Sequence, residues 1–311
     1  MAAIDILLGT YNGAAYLDEQ LASLQRQTIT DWRVLVRDDG STDDTPTLLA
    51  RWAAREPRIT LVRDGQGNLG FSANFHHLLG LAQAPYVMFC DQDDRWLDTK
   101  IERTWDALQA QEARTPGLPV LAHCDSTVTN ETFQPIQERL VAAWARGHGL
   151  ASALFTNPVQ GSTLMMNAAL RQLLLRHPPQ THFDYQAALI AEATGYRVFV
   201  DEALLLYRQH GRNALGAPST TSATIPSTPN WRRPSDTLRI GLEGFERIDH
   251  TLRVVQDRWH PDTAALLKQH QAFIRPGASW EKLRWLWRTN YTFYRRKDRL
   301  GAWLWALGWL K

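Results

Sequence analysis

The chain has 311 residues, of which 44% are hydrophobic and 21% are charged, proportions that exclude a disordered or fibrous protein. The net charge is +2 and the only cysteines are Cys90 and Cys124, which excludes a disulfide framework and a four-cysteine zinc site and suits a reducing compartment. The sequence shows neither a signal-peptide pattern at its N-terminus nor a run of about 20 apolar residues, so we expect a cytoplasmic protein.

Short apolar runs alternate with helical patterns along the first part of the chain. The predicted strands are Ile4–Leu8, Trp32–Val36, Ile59–Val62 and Tyr86–Cys90, and the predicted helices lie at 15–27, from Ser41 to about Glu56, at Ser72–Ala82 and at 98–113. Strands that alternate with helices are typical of a parallel sheet covered by helices on both faces. The sequence therefore predicts an α/β domain.

The second half of the chain is less regular. The predicted elements there are a strand at 120–124, helices near 138–146 and at Phe183–Thr194 with a stop at Gly195, and strands at Arg197–Val200 and Ala203–Tyr207. Segment 216–235 is rich in Ser, Thr, Ala and Pro, which is typical of a linker or mobile loop. We expect one domain over 1–215, this linker at 216–235, and a helical C-terminal extension over 236–311.

Acidic residues follow two of the predicted strands. Asp38 and Asp39 come after the second strand, and Asp91, Asp93 and Asp94 come after the fourth. Either group alone is more often a turn or a helix cap, but ligands of open parallel sheets bind at the carboxyl ends of the strands. Close carboxylates repel one another unless a cation neutralises them, and Mg²⁺ or Mn²⁺ completed by substrate phosphates fits such oxygens. The pattern therefore indicates a nucleotide-diphosphate substrate.

Five segments resemble glycosyltransferase family 2. They are IDILLGTYN at Ile4–Asn12, Gln25–Thr28 before Trp32, VLVRDDGSTDDT at Val34–Thr45, Asn68–Gly70, and FCDQDDRW at Phe89–Trp96. The resemblance covers roughly residues 3–215 and implies a GT-A fold, whose mostly parallel sheet is flanked by helices, a nucleotide-activated sugar donor, and inversion of the anomeric centre. The DQDDxW form is most similar to bacterial rhamnosyltransferases and related hexosyltransferases of polysaccharide assembly.

The resemblance implies a set of nucleotide contacts. Asp39 would accept a hydrogen bond from the pyrimidine N3–H, and Asp38 would support the ribose. The other residues implied to bind the nucleotide are Thr10, Tyr11, Asn12, Asn68, Gly70, Asn74 and Asp91. Many family members carry an arginine near Asn74, where Ser72 and Ala73 stand in this chain.

The resemblance also implies the metal, sugar and catalytic contacts. Asp93 would ligate Mn²⁺ or Mg²⁺, and His210 would complete the metal shell. Asp94 would hold the donor sugar or a metal-bound water. Asp184 would be the base that deprotonates the acceptor hydroxyl, although an Asp at the start of a helix is usually a cap.

Further contacts are implied for the sugars and the phosphates. Gly161 and Ser162 would lie beneath the acceptor, and Trp96 is either a sugar platform or a core residue. Arg208 or Arg212, near the end of the resembling region, would face phosphate.

The C-terminal segment is basic and aromatic. Residues 280–311 hold eight Lys or Arg and two acids, a charge of +6, while the remainder of the chain carries −4. Trp280, Leu283 and Trp287 follow helical spacing. A helix that is both aromatic and cationic suits the surface of an anionic membrane. The alternative is a helix packed on the domain or on a partner. The mildly acidic charge of the remainder of the chain gives no indication of a nucleic-acid partner.

Together these features predict an inverting, metal-dependent glycosyltransferase. It would move a hexose or deoxyhexose, rhamnose being favoured, from a dTDP- or UDP-linked donor to a glycan or lipid-linked acceptor in surface polysaccharide synthesis. It would work in the cytoplasm or at the inner face of the cytoplasmic membrane. One alternative is a sugar nucleotidyltransferase, although the phosphate loop it needs near the N-terminus is absent from the sequence. The other is a non-catalytic sugar-binding scaffold, against which the intact acids argue.

Overall fold

The computed structural model describes residues 2–142, 149–154, 157–176, 182–211, 247–274, 280–281 and 283–284. Within them, one sheet of nine strands has the order β3-β2-β1-β4-β8-β6-β9-β5, with β7 paired to β6. The strands are β1 (Ile4–Thr10), β2 (Trp32–Asp38), β3 (Ile59–Leu61), β4 (Tyr86–Cys90), β5 (Arg95–Trp96), β6 (Val120–Thr129), β7 (Pro135–Gln137), β8 (Leu164–Asn167) and β9 (Tyr196–Arg208).

Helices cover both faces of this sheet. They are α1 (Leu17–Gln25), α2 (Thr45–Arg55), α3 (Phe71–Leu81), α4 (Lys100–Arg114), α5 (Leu150–Ala153), α6 (Ala168–Leu174), α7 (Phe183–Thr194) and α8 (Thr263–Ile274), with a further helical stretch at 247–253. One core cluster contains apolar residues of α1, α2 and α4, and a second contains those of α3, α6 and α7. The predicted α/β class is therefore confirmed.

The first half of the sheet is parallel. Strand β1 pairs with β2, where Thr10 lies opposite Asp38, and with β4, where Leu8 lies opposite Cys90. Strand β1 is buried along nearly its whole length, as a central strand covered on both faces must be. The residues that follow β1, β2 and β4 therefore emerge at the same edge of the sheet.

The second half of the sheet is mixed. Strand β8, which the sequence did not predict, is antiparallel to both β4 and β6. The two strands expected at Arg197–Val200 and Ala203–Tyr207 form the single strand β9, whose pairing with β6 shifts register near Asp125. The bounds predicted for β4 and for α7 are confirmed.

Helix α2 begins four residues later than predicted. It starts at Thr45 rather than at Ser41, because Ser41 is engaged elsewhere. The Ser41 hydroxyl donates to Asp38 Oδ1 (2.5 Å) and accepts from Asn12 N (2.8 Å). The hydroxyl that was expected to cap the helix instead joins the loop after β1 to the end of β2.

The described part of the C-terminal extension packs on the main domain. Ile248, Leu252 and Leu267 share a core cluster with Leu189 and Ala193 of α7. The predicted linker at 216–235, most of the basic segment at 280–311, and residues 143–148 of the predicted helix near 138–146 lie outside the described residues. The proposed domain boundaries stay a prediction. In the described part of the chain, no helix combines the length and the apolar character needed to cross a bilayer.

We expect Gly195→Ala to lower the free energy of unfolding by about 1–3 kcal/mol, a usual cost of overpacking. An added Cβ would lie 1.9 Å from the carbonyl oxygen of Pro119. That oxygen accepts a hydrogen bond from Tyr196 N (2.9 Å) at the start of β9, so it is not free to move away. Urea denaturation followed by circular dichroism measures the change.

The matched control is Gly80→Ala in α3. Gly80 is exposed, and an added Cβ would approach only Leu175 Cδ2, at 4.0 Å. Because alanine favours helix over glycine by up to about 1 kcal/mol, this variant should be neutral or more stable. A similar loss of stability in both variants would contradict the account.

Candidate active site

A cavity of about 530 Å³ opens at the edge of the sheet where β1, β2 and β4 end. It brings together many of the residues singled out in the sequence: Thr10, Tyr11, Asp39, Asn68, Gly70, Asn74, Asp91, Asp93, Gly161 and Asp184. The other singled-out residues, which are not among its described lining, are Asn12, Asp38, Asp94, Trp96, Ser162 and His210. The roles assigned to all of them in the sequence stay predictions, except where burial corrects them below.

Asn12 and Asp38 shape the rim of the cavity. Asn12 has a positive φ of 48°, and its side-chain oxygen accepts from Thr42 N (2.8 Å). Asp38 accepts from the hydroxyls of Thr10 (2.9 Å) and Ser41 (2.5 Å). These bonds fix the loop after β1 against the loop after β2.

Asp39 is buried and holds the loop that precedes α3. Its Oδ1 accepts from Arg37 Nη1 (2.6 Å) and Leu69 N (2.7 Å), and its Oδ2 accepts from Gly70 N (2.8 Å). A carboxylate has about four acceptor positions, so Oδ2 retains one for a ligand in the cavity.

Arg37 is a residue that the sequence analysis missed. Its side chain is 1% exposed and is paired with Asp39 (2.6 Å) and Asp64 (2.8 Å). It also donates to Asn74 Oδ1 (3.1 Å) and to the carbonyl of Gly67 (2.9 Å). Its position directly before the Asp38–Asp39 pair, at the end of the predicted strand, was the one available signal. Arg37 organises the loop from Asp64 to Gly70 and is itself buried against carboxylates.

Gln92 fastens the loop after β4 to the loop after β1. Its side chain accepts from Tyr11 N (2.9 Å) and donates to Tyr11 O (2.9 Å), as a neighbouring strand would. Gly13 makes room for this contact, because a Cβ there would lie 2.1 Å from Gln92 Oε1. The middle residue of the Asp91–Asp93 motif therefore positions the two loops that border the cavity.

Besides Asp39, the carboxylates of Asp91, Asp93 and Asp184 face the cavity. Burial raises the pKa of Asp91, and the charges of Asp93 and Asp184 raise it further. Burial also raises the pKa of Asp184, while a hydrogen bond from Tyr185 N (2.6 Å) opposes that rise. Asp184 thus makes a local bond in the first turn of α7 and still faces the cavity, so capping does not remove it from the site.

Asp94 and Trp96 require correction. Asp94 is 0% exposed, and its Oδ1 accepts from Arg208 N (3.2 Å), so in this structure it supports the end of β9 and does not reach a donor sugar. Trp96 is 1% exposed and belongs to the hydrophobic core, so it is not a sugar platform. Lys100 Nζ lies 3.2 Å from the centre of the Trp96 ring, and burial lowers the Lys100 pKa to about 8.

Gly161 and Ser162 lie in a 3₁₀ turn beside α7. A Cβ on Gly161 would lie 2.6 Å from Phe183 Cζ, so the glycine admits the Phe183 ring at the cavity wall. Ser162 is 1% exposed and accepts from Gln160 Nε2 (3.3 Å). The expected place of Gly161 and Ser162 beneath the acceptor stays a prediction.

His210 lies next to Asp93. His210 Nε2 is 2.8 Å from Asp93 Oδ2, and the side chains are 3% and 15% exposed. Among the described residues, no three His, Cys, Asp or Glu side chains are grouped so that they could hold a metal by themselves. A carboxylate suits Mn²⁺ or Mg²⁺ when phosphate oxygens and waters supply most of the remaining ligands.

Arg208 does not face the cavity. Its guanidinium lies 5.0 Å from the Tyr16 ring centre and 4.0 Å from the Phe133 ring centre, and it is paired with Glu19. Arg212 lies outside the described residues. The expected phosphate contact is therefore wrong for Arg208.

Comparison with known proteins agrees with the fold. Residues 5–172 match the family described as Glycosyl transferase family 2. The dTDP-rhamnosyl transferase RfbG of Shigella flexneri is 25% identical over 219 residues, which are 68% of this chain and 74% of that protein.

Two solved structures have a similar fold. The crystal structure of S. aureus TarS 1-349 in complex with UDP-GlcNAc gives a TM-score of 0.60 at 16% identity, covering 87% of this chain and 71% of that one. The mannosyltransferase PcManGT from Pyrobaculum calidifontis, in complex with GDP-Man and Mn²⁺, gives 0.51 at 18% identity, covering 98% and 87%. The fold is thus that of GT-A glycosyltransferases, as expected.

We expect Gln92→Ala to accelerate hydrogen exchange in peptides that contain Tyr11. The Tyr11 amide loses its acceptor when the glutamine side chain is removed. Gly13→Ala should have the same effect, because its Cβ would displace Gln92 Oε1. Exchange followed by mass spectrometry is the measurement. Gln83→Ala, at an exposed position before β4, is the control, and unchanged exchange in both test variants would refute the role of Gln92.

Proposed function

The chain belongs to glycosyl transferase family 2, and we propose that it transfers a hexose or deoxyhexose from a dTDP- or UDP-linked donor to a glycan or lipid-linked acceptor. That it is a glycosyltransferase follows from the family match and the related enzymes. The observation that supports the finer proposal is the convergence of Asp39, Asp91, Asp93 and Asp184 on one cavity. Its volume of about 530 Å³ lies within the usual range of small-molecule sites.

Asp39 is the proposed reader of the nucleotide base. Its remaining acceptor position on Oδ2 suits the N3–H of a pyrimidine, while Arg37 and two backbone amides keep the carboxylate fixed. Uracil and thymine both present N3–H, so UDP and dTDP donors both fit. The name of RfbG specifies dTDP-rhamnose chemistry, and TarS was crystallised with UDP-GlcNAc; rhamnose as the sugar and polysaccharide assembly as the setting are proposed by analogy with RfbG.

Asp93 and His210 are the proposed metal ligands, and Asp91 is the proposed contact to ribose or sugar hydroxyls. Mn²⁺ or Mg²⁺ bound there would stabilise the negative charge of the leaving diphosphate. Asp93 faces the cavity, and the His210 imidazole is held against it at 2.8 Å. The two residues would thus place the diphosphate end of the donor beside Asp91.

Asp184 is the proposed catalytic base. An acceptor hydroxyl is a weak nucleophile at neutral pH, and a positioned carboxylate that removes its proton accelerates such reactions by about 10²–10⁴-fold. Asp184 faces the cavity that Asp91 and Asp93 also line, and burial raises its pKa, which makes it a stronger base. The proton passes to Asp184 Oδ as the new glycosidic bond forms and the bond to the diphosphate breaks, with inversion of the anomeric carbon.

The basic C-terminal segment is the proposed contact with an anionic membrane surface at the inner face of the cytoplasmic membrane. Residues 280–311 carry a charge of +6, and Trp280 is 84% exposed. Cationic and aromatic side chains together favour the headgroup region of anionic bilayers. A lipid-linked acceptor would meet the enzyme at that surface.

We expect Asp184→Asn to lower transfer by at least about 10²-fold while leaving donor affinity within a few-fold. The amide keeps the shape of the carboxylate and removes its basicity. Calorimetry with UDP- and dTDP-sugars measures donor binding, and release of the nucleoside diphosphate in the presence of acceptor measures transfer. Asp98→Asn, at an exposed position, is the control. A loss below tenfold would show that Asp184 is not the base, and a wild type inactive with every pyrimidine nucleotide sugar would contradict the function itself.

The rate of transfer should also fall as the pH is lowered through the raised pKa of Asp184. The base acts only when it is ionised, and burial makes it take up a proton at a higher pH than an exposed Asp, whose pKa is about 4. A profile of kcat against pH, with donor and acceptor saturating, measures this acidic limb. The residual activity of Asp184→Asn should not show this acidic limb. If the limb persists in that variant, another titrating group causes it.

A further inference from the structure

Tyr16 contacts the histidine that lies against Asp93. Its ring stacks on the His210 imidazole, with ring centres 4.3 Å apart and planes 21° from parallel. The imidazole Nε2 is in turn 2.8 Å from Asp93 Oδ2. We propose that Tyr16 is a positioning residue that fixes His210 beside Asp93, so that the pair binds a divalent cation together with the donor diphosphate. This inference rests on the metal role assigned above to Asp93 and His210.

The backbone of Tyr16 is held in place by the first turn of α1. Tyr16 N donates to Gly13 O (3.0 Å), and Tyr16 O accepts from Glu19 N (3.1 Å). Gly13 N in turn donates to Thr45 Oγ1 (2.9 Å) at the start of α2. The next residue, Leu17, is fully buried in the core. The ring of Tyr16 therefore projects from a fixed point of the domain.

His210 depends on side-chain contacts for its orientation. Strand β9 ends at Arg208, and the backbone of the following residue is held by a bond from Gln209 N to Thr129 O (2.8 Å). That bond fixes the path of the chain but not the rotation of the imidazole ring. Stacking on Tyr16 and the contact with Asp93 restrict the ring from two directions.

A second contact fastens the end of β9 to α1. The guanidinium of Arg208 lies 5.0 Å from the Tyr16 ring centre and is paired with Glu19 in the first turn of α1. Arg208 N also donates to Asp94 Oδ1 (3.2 Å), which joins β9 to the loop after β4. Tyr16 thus lies where three parts of the chain meet: the start of α1, the end of β9, and the acidic loop.

Groups that orient a metal ligand without touching the metal commonly change metal affinity by about 10–100-fold when they are removed. Tyr16 is outside the described lining of the cavity, so its replacement leaves the nucleotide contacts in place. The expected signature is a weaker affinity for the cation with an unchanged affinity for the nucleotide at saturating metal. A purely structural role would change both affinities or neither.

The test measures Mn²⁺ affinity by electron paramagnetic resonance of the free ion, with the full chain and saturating UDP. Tyr16→Leu should weaken Mn²⁺ binding by about tenfold or more, and Tyr16→Phe, which keeps the ring, should stay within twofold of the wild type. Tyr86→Leu removes a half-buried tyrosine at the opposite end of β4 and should leave Mn²⁺ binding unchanged. If Tyr16→Leu fails to fold, Tyr16→Met replaces it.

A double-mutant cycle shows whether Tyr16 changes the Mn²⁺ affinity through His210. In a His210→Ala background, Tyr16→Leu should cause no further loss of Mn²⁺ affinity, because its partner is gone. Unchanged Mn²⁺ binding in folded Tyr16→Leu, or the same loss in the His210→Ala background, would overturn the inference while leaving the metal site intact. A wild type that binds no Mn²⁺ with UDP would instead overturn the metal proposal and this inference with it. The two failures are therefore distinguishable.

Discussion

The parallel pairing of β1 with β2 on one side and β4 on the other is the constraint on which the site depends. Since Thr10 lies opposite Asp38 and Leu8 lies opposite Cys90, the loops after all three strands meet at one edge. Two hydrogen bonds between Gln92 and Tyr11, and one from Asn12 N to the Ser41 hydroxyl, then fasten these loops to one another. Strand β9 adds the last component, because its end carries His210 to Asp93.

The carboxylates at this edge fall into two electrostatic classes. Asp39 is compensated by Arg37 and two backbone amides, so its charge is used to hold the loop before α3. Asp91 and Asp184 lie in the cavity with pKa values raised by burial, and Asp93 contacts a histidine. Carboxylates whose charge is only partly compensated inside a cavity are typical of a functional site. The Asp91, Asp93 and Asp184 carboxylates are suited to a bound cation and to a proton taken from an acceptor hydroxyl.

Local patterns predicted the elements whose ends carry clear signals. Strand β4 is bounded by Pro85 and Asp91, and α7 stops at Gly195, so both were located correctly from sequence. Strand β8 was missed because its four residues show no alternation and follow directly on a 3₁₀ turn. The burial of Asp94 and Trp96 depends on packing that no motif encodes. The contacts of Arg37 with Asp64 and Asn74, and of Tyr16 with His210, join distant parts of the chain, so the roles of Arg37 and Tyr16 become visible only in the three-dimensional structure.

The central claim is that the edge cavity binds a pyrimidine nucleoside diphosphate, with a divalent cation held by Asp93 and His210. A crystal grown with UDP and Mn²⁺ and measured at the manganese absorption edge tests it most directly. We expect an anomalous peak within about 2.0–2.6 Å of an Asp93 oxygen and of a His210 nitrogen, with the base at Asp39. Nucleotide bound elsewhere, or a peak away from both side chains, would contradict the account.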